Sequence, residues 1–163
     1  MTVGLLGIAA IPGQAQTTVN GSSSITIGTV LYISAANTSV AFAAPTGTNF
    51  DAGYLNSTTT TAITHRGNVR HSITVAAGAA TMTASGGGSG PDAARTTKPA
   101  SDLRWSTDGS TYAGLSTSAA AVRSAVARGA YSDLNVQYQM ALSYADDTPG
   151  TYALNFVYTV AAD

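Results

Sequence analysis

The chain has 163 residues, a formal net charge of −1 and 9% charged residues, where ordinary soluble domains have about 25%. Seven basic residues against eight acidic ones give no basic patch, which argues against nucleic-acid binding. The chain has no cysteine, which excludes disulfide frameworks and cysteine-based zinc sites, and its length fits one domain.

The first fifteen residues have the pattern of a secretion signal. An apolar run over residues 3–11 is followed by the helix-breaking pair Pro12-Gly13 and by small residues at Gly13 and Ala15. That order is typical of a signal peptide and its cleavage site. The run is shorter than the roughly 20 apolar residues that cross a bilayer. We therefore expect residues 1–15 to be a secretion signal, and the mature chain to be extracellular or at the cell surface, without a membrane span.

Residues 16–34 are predicted to form an N-terminal arm and the first strand. Residues 16–24 are polar, and the apolar residues that follow then alternate with polar or small ones, at Ile25, Ile27, Leu31 and Ile33. Alternation with a period of two indicates a half-buried strand. Because this strand follows a polar arm, it is a candidate donor strand for a neighbouring chain.

Residues 35–163 are predicted to form one antiparallel β-sandwich, because strand signals recur at short intervals with turn residues between them. The stretch 119–128 fits a helix or a strand, and its β-rich surroundings favour a strand. The last two strands, 136–144 and 152–160, alternate on either side of a Pro149-Gly150 turn and are predicted to pair as a hairpin. The other predicted strands are 38–43, 57–64, 69–75, 79–84 and a hairpin of 103–106 with 111–112 around Asp108-Gly109.

No arrangement of residues predicts an active site, a cofactor or a metal. His65 is expected to face Arg70 across a Gly67-Asn68 turn, with His71 beyond it, and no nearby carboxylate completes a metal site. The sequence has no glutamate, nucleophile elbow or phosphate-binding loop. Residues 106–112 resemble the Asp-box turn of propeller enzymes, but a single, shortened copy favours a plain hairpin turn. We therefore predict that the protein is not an enzyme.

The low charge points to association with other chains. A sandwich has edge strands that pair with other chains unless charge, proline or bulges block them, and lysine is the usual blocker. This chain has one lysine. An arm that adds as a strand to a neighbour's sheet, repeated head to tail, gives a contact that does not close and so a filament.

The overall plan resembles subunits of bacterial pili and surface fibres that assemble by donor-strand complementation. The resemblance lies in the signal peptide, the polar arm with its alternating strand, and the end of the chain, where the turn 147–152 leads to Tyr158-Thr159-Val160. It implies an immunoglobulin-like or pilin-like sandwich with an extended N-terminal arm. It also implies a homopolymer, whose interface would contain Ile25, Ile27, Leu31 and Ile33.

An alternative function stays open at this point. A monomeric secreted adhesion or carbohydrate-binding module would bind a glycan or a cell surface through exposed aromatic side chains. The candidates for such ligand-facing residues are Trp105 and Tyr112.

Overall fold

The computed structural model describes residues 21–163, without the side chains of Ala130 and Tyr131. The predicted signal at residues 1–15 and the first part of the arm, residues 16–20, lie outside the described residues. Within residues 21–163 the structure is mostly β, with antiparallel sheets and little helix, which confirms the predicted all-β class. Within residues 21–163, no helix is long and apolar enough to cross a membrane.

The strands of the described residues are β1 (Leu31–Ala36), β2 (Tyr54–Gly67), β3 (His71–Ala77), β4 (Thr83–Ser85), β5 (Leu103–Ser106), β6 (Ala113–Gly114), β7 (Ala120–Val126), β8 (Gly129–Ala141), β9 (Thr151–Ala153) and β10 (Phe156–Ala162). They form three antiparallel sheets. The first sheet has the order β1-β2-β8-β5-β6, the second has the order β10-β3-β7, and β4 pairs with β9 in the third. Short 3-10 turns occur at Gly90–Asp92 and Ala100–Asp102.

One core cluster joins residues of the two larger sheets. Ile63 and Val136 of the first sheet and Val75 and Ala77 of the second belong to this cluster and are at most 6% exposed. Alternate residues of β2 and β3 point into this cluster, because successive side chains of a strand point to opposite faces. The ring of Tyr138 on β8 packs against Phe156 on β10, with 5.5 Å between ring centroids.

The predicted terminal hairpin is wrong. Strand β8 pairs with β2 and β5, and β10 pairs with β3 in a different sheet. The apolar faces of these two strands explain the difference. Tyr138 of β8 contacts Phe156 and Tyr158 of β10 across the core, where large aromatic side chains bury much apolar surface.

The predicted strand at residues 38–43 is also wrong, because this segment contains no strand. The pairing of β2 with β8 is interrupted between Asn56 and Thr60, and within this irregular stretch the N–H of Thr58 donates to the carbonyl oxygen of Ala41 at 3.0 Å. The hydroxyl of Thr59 accepts from the N–H of Ala41 at 3.2 Å. Threonine side chains thus take the place of a regular ladder.

A short helix, α1 (Gly47–Ala52), stands in a segment that the sequence predicted to be a loop. The side-chain oxygen of Asn49 accepts from the N–H of Thr46 at 2.9 Å, and Gly53 ends the helix with a φ of 76°. Two further predictions are confirmed, since β7 lies within the stretch 119–128 and β3 covers most of 69–75. The hairpin that begins with β5 is confirmed in part, because its second strand is β6 at 113–114 instead of 111–112.

Candidate interaction site

Residues 21–30 form the described part of the N-terminal arm, and they belong to no strand. Ile25 is 85% exposed and Ile27 is 75% exposed, so the prediction of one continuous strand over residues 25–33 is wrong for its first half. The base of the arm is held by Asn68, whose side chain donates to the carbonyl oxygen of Gly28 and accepts from the N–H of Val30, both at 2.7 Å. The arm therefore leaves the body at a fixed point with its apolar residues in solvent.

Two edge strands with half-buried apolar faces lie beside each other. Strand β1 is an edge of the first sheet, and β10 is an edge of the second. Between them runs a groove of about 270 Å³, which we call the β1–β10 seam. Its apolar lining residues are Ile33 and Ala35 of β1, Leu154, and Phe156, Val157 and Tyr158 of β10, and all are partly buried except Val157, which is 61% exposed. The core is thus not fully covered along this line.

A chain of hydroxyl groups lies behind the seam. The hydroxyl of Tyr158 lies 2.5 Å from that of Tyr138, which donates to the hydroxyl of Thr61 at 3.1 Å. Thr61 in turn donates to the carbonyl oxygen of Asn37 at 2.9 Å. Burial raises the pKa of both tyrosines, so both stay neutral donors at ordinary pH. The chain links β10 to β8 and β2 and fixes the wall of the seam.

The four residues of the predicted polymerisation interface therefore fall into two groups. Ile25 and Ile27 lie on the exposed arm. Leu31 and Ile33 lie on β1, half-buried and paired with β2 opposite Gly67 and His65. The structure does not bring the two groups together within one chain.

The predicted ligand-facing aromatics also differ from each other. Trp105 is 8% exposed and belongs to the core, so its expected role in contacting a ligand is wrong. Tyr112 is half-buried and lines an open, mostly polar hollow of about 470 Å³ together with Tyr54, Asn56, Arg104 and Gln139. Only the tyrosine of the predicted pair faces a space that a ligand can reach.

The turn after β5 is built around Asp108. Its carboxylate accepts from the N–H groups of Ser110 and Thr111 and from the hydroxyl of Ser106, each at 2.8 Å. These hydrogen bonds hold the pKa of Asp108 well below its usual range. The bonds are local to the turn, which fits the prediction of a hairpin turn.

The two histidines meet between the sheets, and the predicted hairpin that would place His65 opposite Arg70 is wrong. His65 on β2 and His71 on β3 are at most 1% exposed, and their Nδ1 and Nε2 atoms are 3.1 Å apart. Nδ1 of His71 lies 3.1 Å from the carbonyl oxygen of Val69, which accepts its proton. His71 then accepts from Nδ1–H of His65, and Nε2 of His65 is a buried acceptor without a hydrogen-bond partner.

Sequence reasoning missed a third cluster. Lys98, the single lysine, is 2% exposed and lies between Asp102 and Asp147. The sequence pattern gave Lys98 no partner, and it placed Asp147 only in the turn 147–152. The presence of a single lysine in a chain without glutamate was the signal that could have marked this cluster.

Comparison with known proteins gives no further assignment. The sequence matches no protein-family model, and it has no significant match among curated proteins. Among residues 21–163, no group of three or more His, Cys, Asp or Glu residues is placed to hold a metal ion. The function must therefore be argued from the arm, the seam and the polar clusters themselves.

Proposed function

We propose that this chain is a structural subunit of an extracellular filament, in which the arm of one copy adds as a strand to the β1–β10 seam of the next. The observation that carries the proposal is that both the arm and the seam have apolar side chains that are not fully buried within one chain. The arm offers exposed Ile25 and Ile27, and the seam offers half-buried apolar rows on two edge strands. Contact between the arm and the seam would bury the apolar side chains of both.

The spacing of the side chains supports this pairing. In an extended strand, Ile25 and Ile27 point to the same side and stand about 6.8 Å apart. The seam repeats this spacing, because Ile33 and Ala35 on β1 and Phe156 and Tyr158 on β10 are also two residues apart. A strand laid along either edge gains backbone hydrogen bonds and buries its isoleucines in one step.

The contact is heterologous, since the arm and the seam are different surfaces of the chain. Repetition of such a contact gives an open filament unless its rotation closes a ring. The proposal includes a pilin-like β-sandwich formed by the two larger sheets, supported by their shared core, and export through the signal at residues 1–15. In a filament, neighbouring copies would cover the edge strands that the low charge leaves open to pairing.

The first test is assembly of purified residues 16–163, measured by electron microscopy and sedimentation. The double variant Ile25→Asp/Ile27→Asp should give monomers, because it puts two charges where the apolar face enters the seam. The matched control Ser24→Asp/Thr26→Asp adds the same charge to the other face of the arm and should still form filaments. Wild-type protein that stays monomeric or forms only closed dimers would overturn the proposal.

The second test maps the contact by disulfide capture, which is clean because the natural chain has no cysteine. Ile27→Cys on one copy and Ala35→Cys on another should form a mixed disulfide under mild oxidation. A mixture of Ile27→Cys with Thr107→Cys, in the exposed turn after β5, is the control and should not. Equal capture in both mixtures would contradict docking at the seam.

A carbohydrate-binding module is the second candidate, and one observation favours it. The hollow around Tyr112 combines two tyrosines with amide and guanidinium donors, groups that suit sugar hydroxyls. A glycan array with wild-type protein and Tyr112→Ala tests this candidate. Binding that the variant loses, without any assembly, would favour the module over the filament.

A further inference from the structure

Lys98 is the most deeply buried charged side chain among the described residues. Its Nζ atom lies 2.6 Å from Oδ1 of Asp147, 3.0 Å from Oδ2 of Asp102 and 3.1 Å from the carbonyl oxygen of Ala141. Lysine is almost never fully buried unless it is paired, and here all three donors of the ammonium group have acceptors. One amine and two carboxyl groups are thus held in contact away from solvent.

The surroundings of this cluster are largely apolar on one side. A cavity of about 400 Å³ opens onto Lys98 and Asp147, and its apolar lining includes Phe42, Leu55 and Met140. The ring of Tyr152 lies 5.7 Å from Nζ. Separated charges are costly in such a place, so a reaction that removes one charge of each sign is favoured there.

We propose that Lys98 and Asp147 condense to form an intramolecular amide bond between the two side chains. Asp102 takes one proton from the ammonium group and passes it to the carboxyl group of Asp147. The neutral amine then attacks Cγ of Asp147, and a C–N bond forms. The C–O bond breaks, the oxygen leaves as water with that first proton and with a second proton that Asp102 transfers from the attacking nitrogen, and Asp102 returns to its starting state. The ammonium and carboxylate supply every atom of the amide and the water, so no oxidant or other reactant is needed.

Asp147 is the acceptor for geometric reasons. Its side chain is 7% exposed against 24% for Asp102, and it makes the shorter contact with Nζ. The N–H of Ser143 donates to Oδ2 of Asp147 at 3.0 Å, where it stabilises the negative charge that develops during the attack. Both reacting groups are fixed by the fold, which replaces a bimolecular encounter by a contact within one molecule.

The charge balance of the cluster supports the same product. Arg95 lies 3.8 Å from Asp147, so the cluster starts with two positive and two negative side chains. Condensation removes one of each and leaves Arg95 with Asp102. The new bond joins residues 49 apart in sequence and ties the loop before β5 to the connection after β8. A link of this length restricts the unfolded chain in the way that a disulfide does.

The decisive measurement is the intact mass of the full chain under denaturing conditions. The expected mass is that of the sequence less one water molecule. A mass equal to that of the sequence, both in fresh protein and after long incubation at neutral pH, would overturn the proposal. This readout does not depend on assembly, so failure of the filament proposal and failure of this one are distinguishable.

Tryptic digestion locates the bond. Lys98 precedes proline, and trypsin does not cut after it, so cleavage at the arginines gives peptides 96–104 and 129–163. These two peptides should appear as one branched species in tandem mass spectrometry. A water loss carried by either peptide alone would contradict a bond between Lys98 and Asp147.

Three variants assign the roles. Asp147→Ala should restore the full mass of its own sequence, whereas Asp146→Asn, changed at the neighbouring carboxyl that does not touch Lys98, should still lose water. Asp102→Asn should slow the loss of water at least tenfold, because it removes the proton carrier. Water loss at the wild-type rate in Asp102→Asn would rule out that role, and water loss in Asp147→Ala would rule out the bond itself.

Discussion

The Lys98 cluster and the β1–β10 seam differ in how far their side chains find partners within one chain. Around Lys98, each charge has its partner within the chain, at distances of 2.6 to 3.8 Å. Along the seam, apolar side chains of two edge strands are only half-buried within residues 21–163. A buried charge without a partner costs several kcal/mol, whereas a half-exposed apolar side chain costs much less. The first must therefore be completed within the chain, whereas the second could be completed by the neighbouring copy that we propose.

The largest effect on stability should come from removing the buried charge of Lys98. Lys98→Ala removes the ammonium group that contacts both Asp102 and Asp147 and leaves Arg95, 3.8 Å from Asp147, as the remaining cation of the cluster, and we expect a loss of about 3–5 kcal/mol in the free energy of unfolding. Denaturant unfolding followed by circular dichroism measures it. Arg70→Ala is the control, because it breaks an ion pair in which the arginine is 67% exposed, and it should cost about 0–1 kcal/mol. Equal losses in the two variants would mean that burial does not separate these sites.

An intermediate effect is expected at the histidine pair, which is buried but carries no partner charge of opposite sign in contact. Burial, then His71, then Arg123 lower the pKa of His65 from its ordinary value of 6.5. His65 therefore binds a proton more readily in the unfolded chain than in the folded chain. The free energy of unfolding should fall as the pH drops below about 6.5.

Unfolding midpoints from pH 8 to pH 5 test this expectation. His65→Leu removes the titrating group and should flatten the profile in that range. A wild-type profile that rises toward pH 5, or one that the variant leaves unchanged, would contradict a lowered pKa at His65.

The smallest effect on stability should come from the seam. Val157 on β10 is 61% exposed, so Val157→Lys should change the free energy of unfolding by less than about 0.5 kcal/mol. Lysine on an edge strand opposes the addition of another strand, so the same variant should slow filament growth, followed by light scattering. Thr117→Lys, on an exposed loop, adds the same charge and should grow at the wild-type rate. A large loss of stability in Val157→Lys would mean that the seam is already closed within one chain.

Local patterns predicted several strands correctly but did not predict which strands pair with each other. Alternation in residues 69–75 and the Asp108-Gly109 turn act over a few residues, and both predictions are confirmed. The pairing of β10 with β3 depends on where the aromatic faces of distant strands meet, which no local spacing records. The same limit explains the histidines, since His65 and His71 lie in different sheets although six residues apart.

For the candidate sites too, the sequence predicted local features but not contacts between distant residues. The exposed isoleucines of the arm were found because their alternation is local, but the sequence did not show that the strand begins only at Leu31. Asp147 is predicted only as part of the turn 147–152, because a turn sequence does not reveal that a lysine 49 residues away lies against it. Trp105 was taken for an exposed side chain, because a single strand does not show which of its faces is covered.

The anchorage of the arm by Asn68 has a mechanical consequence. Its side chain holds both Gly28 and Val30, and its own N–H donates to the carbonyl oxygen of Val30 at 3.1 Å. A pull on the arm therefore loads three hydrogen bonds together before it reaches the ladder of β1 with β2. Tension along a filament would be met at this one asparagine, which would act as the clamp that keeps the first sheet from being peeled open from its edge.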